Sequence, residues 1–116
     1  MKRAKQPLCE THLYGGVFVK SHAVPDAGTL LPQHAHTYPH LSYVAAGAVR
    51  VWCGDLDLGT FNAPAAIRVA ARQKHRFLTL QDDTLILCLH NAEHGEAAEI
   101  HEEHQLALED GRCPSA

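Results

Sequence analysis

The sequence predicts an all-β domain, a small barrel or sandwich, closed by one C-terminal helix. Three observations point there. Short apolar runs rich in Val, Ile, Leu and aromatics recur along residues 16–91, separated by Gly, Pro, Asn and Asp signals. No amphipathic helical stripe is visible within that stretch. After Asn91 the composition turns to Ala, Glu, His and Leu, which is helical usage.

Each element follows in order. Residues 1–15 are expected to be an N-terminal extension, with Lys2, Arg3 and Lys5 but no apolar stretch behind them, so no secretory signal is expected. Gly16 to Ser21 is a first strand. Pro25-Asp26-Ala27-Gly28 is a turn. Thr29 to His36 is extended, with Pro32 favouring an edge or a bulge. Tyr38-Pro39 turns the chain. Leu41 to Ala46 and Ala48 to Cys53 form a hairpin pattern about Gly47. Gly54-Asp55 precedes a short strand at Leu56 to Leu58. Gly59 to Pro64 reads as loop. Ala65 to Val69, His75 to Leu80 and Thr84 to Leu89 are three more strands, the last two joined by Gln81-Asp82-Asp83. This sets a barrel over 16–91, a helix over 92–110 and a tail over 111–116.

Composition narrows the function classes. The chain has 116 residues, enough for one domain with one core. Its formal charge of −3 gives no reason to expect nucleic-acid binding. No apolar run approaches the ~18 residues that span a membrane, so a cytoplasmic protein is expected. Cys9, Cys53, Cys88 and Cys113 form no C-x-x-C pair and are expected to be reduced thiols. No Ser-His-Asp arrangement, phosphate loop or dinucleotide fingerprint is visible. Glu10, Glu93, Asp55 and Asp57 fall in expected loops or tails, so no general acid or base is placed.

The chemistry concentrates in histidine. There are ten, and three of them lie in the run Gln33-His34-Ala35-His36-Thr37-Tyr38-Pro39-His40. In a strand, residues i and i+2 share a face, so His34 and His36 are expected to point together into the barrel. The turn at Tyr38-Pro39 brings His40 back towards them. His75 opens a later strand and can enter from across the barrel. Neutral imidazoles suit Zn, Cu, Fe and Ni, and one divalent transition metal, Fe, Mn, Ni, Cu or Zn, is expected. Tyr38, Ser42, Val44, Trp52 and Phe77 are candidate pocket residues. His94, His101 and His104 share a helical face, but their spacing is not that of the H-E-x-x-H zinc motif.

Gly28, five residues, His34-Ala35-His36, three residues, His40, six residues and Gly47 together resemble the first motif of the cupin superfamily. His40 stands where that motif has a glutamate. The second motif is reduced to His75 followed by Arg76-Phe77, because Ala70 to Lys74 lacks the Pro-x-Gly turn. The resemblance runs from Val17 to Leu89 and is similar to small single-domain bacterial or phage-related cupins. It implies a jelly-roll β-barrel, a metal held by His34, His36, His40 and His75, a small-molecule ligand or substrate, and a homodimer. All-histidine cupin sites include dioxygenases acting on diketones and thiols. The resemblance therefore implies a metal-dependent, dioxygenase-like oxidoreductase if the chain is an enzyme. The alternative is a non-catalytic metal or small-ligand sensor.

Overall fold

A computed structural model describes residues 8–32 and 39–91. Among them nine strands build two antiparallel sheets. In chain order these are β1 (Leu8–Tyr14), β2 (Val17–Val24), β3 (Leu30–Pro32), β4 (His40–Ala46), β5 (Ala48–Cys53), β6 (Leu56–Asn62), β7 (Ala65–Val69), β8 (His75–Thr79) and β9 (Thr84–Asn91). One sheet has the order β1-β2-β9-β4-β7 and the other β3-β8-β5-β6. The chain changes sheets at β2/β3, β3/β4, β4/β5, β6/β7, β7/β8 and β8/β9, and the two sheets face each other across a shared core.

Alternation of side chains decides which face is inside. Phe18, Lys20, His22 and Val24 are buried along β2, and His40, Ser42 and Val44 along β4. Thr84, Ile86, Cys88 and His90 are buried along β9. The core lies between the sheets. Val24, Val44, Ile67, Ile86 and Cys88 from one meet Leu31, Val49, Val51 and Phe77 from the other. Both motif glycines take positive φ, +81° at Gly28 and +79° at Gly47. Gly47 is also a close approach, since a Cβ there would lie 2.8 Å from the Thr84 Cα.

The structure extends and corrects the sequence-based elements. Leu8–Tyr14, within the expected N-terminal extension, is strand β1, turned into β2 by Gly15-Gly16. The stretch from Gly59 reads as loop because Gly and Pro weaken strands, yet β6 continues to Asn62. Its ladder to β5 holds it there, from Val51↔Gly59 to Ala48↔Asn62, with the register shift at Val51/Trp52 absorbed next to Gly59. Cys9 is disulfide-bonded, which corrects the expectation of four reduced thiols; Cys53 and Cys88 are free. The expected helix over 92–110 lies outside the described residues, with His94, His101 and His104 on it. No helix among the described residues is long and apolar enough to cross a membrane.

Candidate metal centre

Two of the four expected ligands are described, one on each sheet. His40 is the first residue of β4 and His75 the first of β8. Both are buried, at 7% and 3% exposure. The sequence places them there because each begins a run whose alternate residues are core: Ser42 and Val44 after His40, Phe77 and Thr79 after His75. Strand phase therefore turns both imidazoles inward. The segment with His34, His36 and Tyr38 lies outside the described residues. Its flanks are Pro32, opposite Arg76 in the β3–β8 ladder, and Pro39, ahead of His40. The chain thus leaves one sheet beside the His75 end of β8 and enters the other at His40.

His75 is held in a ligand-like orientation. Its Nδ1 lies 3.1 Å from the Gln73 carbonyl oxygen. A carbonyl only accepts, so Nδ1 donates, and in the neutral ring this leaves the lone pair on Nε2. Metal-binding histidines are commonly fixed in this way, by donating the other ring nitrogen to a backbone carbonyl. The donor chemistry therefore fits a divalent transition ion. Among the described residues no three His, Cys, Asp or Glu side chains form a metal-holding group.

His90 was missed by sequence reasoning and stands beside His40. The rings are stacked, with centroids 4.7 Å apart and planes at 29°. His90 is 3% exposed, and its ring makes a T-shaped contact with Phe18, with centroids 6.0 Å apart. The signal was present in the sequence, because His90 continues the period-2 set Thr84, Ile86 and Cys88. The apolar run ends at Leu89, one residue short of it.

The next inward row carries unusual polarity. Lys20 is 1% exposed, opposite Cys88 in the β2–β9 ladder, and Cys88 is in turn opposite Ser42. The Ser42 hydroxyl and Cys88 thiol lie 3.5 Å apart. Burial pushes the Cys88 thiol up, against the opposing pull of the Lys20 ammonium. One row further, His22 lies 3.3 Å from the Cys9 sulfur. Burial, and then the Lys20 charge, push its imidazole down to about 4.

The remaining candidates separate clearly. Val44 and Phe77 are fully buried members of the core. Trp52 is half-buried, with the exposed Arg50 and Arg76 guanidiniums over its ring at 5.4 and 4.9 Å. Asp57, read as a loop carboxylate, is on β6 and engages Arg50, which together with the Gly59 N–H holds its carboxyl below the usual range. Two grooves open at the histidine end of the first sheet. One of about 460 Å³ has His40, Arg68 and Leu89 in its walls; the other, about 390 Å³, has Val17, His90 and Asn91.

Neither a protein-family model nor a curated protein matches the sequence. Solved structures do match. An RmlC-like cupin family protein with a double-stranded β-helix fold, from Methanocaldococcus jannaschii, aligns with TM-score 0.65 at 18% identity, over 85% of this chain and 92% of that one. A cupin superfamily protein from Desulfitobacterium hafniense aligns with TM-score 0.65 at 13% identity, over 80% and 84%. A DMSP lyase from Ruegeria pomeroyi aligns with TM-score 0.64 at 14% identity, over 77% of this chain and 48% of that one. The chain has the cupin fold.

Proposed function

We propose that this small cupin binds one divalent transition metal through His34, His36, His40 and His75, and uses it on a small molecule. The observation that carries the proposal is the buried pair of inward imidazoles on opposite sheets, with His75 Nδ1 committed to the Gln73 carbonyl. With four neutral donors, a bound ion keeps its full charge and supplies a Lewis acid for an anionic or carbonyl-bearing ligand, with oxygen chemistry available if it is iron.

The chain's own residues define what such a ligand meets. Arg68 stands exposed in the groove that His40 lines, where it can attract an anion. The likeness to a lyase supports a catalytic reading. A non-catalytic sensor is the second reading, and one observation favours it: the row beneath the histidines is filled by side chains, with Ser42 and Cys88 at 0% exposure.

The test is metal analysis of protein purified without a histidine tag, followed by thermal unfolding with added Fe, Mn, Ni, Cu or Zn. Bound metal near one equivalent, or a raised melting temperature with one of these ions, is the expected result. Protein that holds no metal and gains no stability from any of them overturns the proposal. Oxygen consumption by the iron-loaded protein, screened with small diketones and thiols, then separates the oxygenase reading from the sensor reading.

A further inference from the structure

Strand β9 reaches the histidine end of the barrel, yet none of its residues belongs to the four-histidine set. Its inward face runs Thr84, Ile86, Cys88, His90. The β4–β9 register, Ser42↔Cys88 and Leu41↔Leu89, continues to bring His90 opposite His40. The β2–β9 register places Phe18 on the other side of His90. His90 is thus fixed between two rings, T-shaped to Phe18 at 6.0 Å and stacked on His40 at 4.7 Å.

We infer that His90 is a positioning residue of the metal centre, holding the His40 imidazole in one orientation by stacking; this rests on His40 being a metal ligand, as proposed. The ring geometry separates this role from direct ligation. Two imidazoles bound side by side to one ion must each point a nitrogen at it. If their planes are also nearly parallel, the rings lie edge to edge and their C–H groups collide. The two planes here are 29° apart, and the centroid separation is that of an aromatic stack. His90 therefore braces the face of His40. A ring already fixed by packing loses less freedom when it takes up an ion, and ligand support of this kind governs affinity.

The test compares wild type with His90→Ala and His90→Phe. Zinc affinity is measured by chelator competition, and nitrogen couplings are read from the electron paramagnetic resonance spectrum of the Cu(II)-loaded proteins. His90→Ala is expected to bind zinc about 10- to 100-fold more weakly, the usual effect of removing a residue that orients a ligand. His90→Phe, which keeps a flat ring, is expected to restore most of that loss. The number of coupled nitrogens is expected to be the same in all three. Unchanged zinc affinity in His90→Ala overturns the inference, as does loss of one nitrogen coupling in both variants, which would make His90 a ligand. In the metal-free wild type, nuclear Overhauser contacts between the His40 and His90 ring protons are expected, and their absence overturns the stacking whatever the variants do. Wild-type protein that binds neither ion removes the four-histidine site and this role together, an outcome distinct from failure of His90→Ala alone.

Discussion

Acid should destabilise this barrel in large part through one imidazole. His22 is 1% exposed on β2, and burial, followed by the Lys20 charge, lowers it from 6.5 to about 4. The unfolded chain takes up this proton near 6.5, while the folded chain resists it until about 4. Below 6.5 the unfolded state therefore holds more protons, and stability falls as pH drops through that window. At 1.36 kcal/mol per pH unit, the full gap amounts to about 3 kcal/mol, of which about 2 kcal/mol is lost between pH 7.5 and pH 5. That is a large share of the ~5–15 kcal/mol that holds a typical domain together. The perturbation is His22→Phe, which removes the titrating group and keeps an aromatic ring in the core. Urea denaturation of metal-free protein at both pH values gives the stabilities. The other histidines act equally in both proteins and cancel in the comparison. Wild type should lose about 2 kcal/mol more than His22→Phe on acidification. Equal losses in the two proteins would refute the reasoning.

Three further outcomes follow from the packing. Gly47→Ala combines a positive φ with a Cβ pressed on the Thr84 backbone, and should cost about 3 kcal/mol in urea denaturation; a cost below about 1 kcal/mol would contradict the close approach. Phe77→Ala empties the centre of the core and should cost about 4 kcal/mol by the same assay, whereas a loss under about 1 kcal/mol would show that Phe77 is not central. Cys53, half-buried and donating to Gln73 Oε1 at 3.1 Å, should be alkylated in the native protein, while Cys88 should be protected; peptide mapping that finds Cys88 labelled first would contradict its burial.

Most of the architecture was legible because period-2 burial is written directly into β2, β4, β8 and β9. The positive φ at Gly28 and Gly47 was legible too, since glycine punctuates apolar runs where the chain must turn. What failed was the judgement of edges. None of the seven residues of β1 is buried, so Leu8–Tyr14 carries little hydrophobic contrast even though Gly15-Gly16 marks its turn. β6 survives its glycine because the ladder to β5 holds it, a tertiary term that no local pattern contains. The strand-start positions of His40 and His75 were legible in the sequence, and both residues are buried there. Lys20 and His22 were not, since a lysine and a histidine on alternating positions look like the wet face of a strand. His90 is hidden because the apolar run that marks β9 ends at Leu89.

The measurement that bears most directly on the four-histidine site is a crystal structure of metal-loaded protein, with anomalous diffraction recorded at the absorption edge of the bound ion. The expected result is one anomalous peak inside the barrel, within about 2.0–2.3 Å of nitrogens from His34, His36, His40 and His75. A peak held elsewhere, such as by His94, His101 and His104, or no peak in a fully loaded crystal, would contradict it.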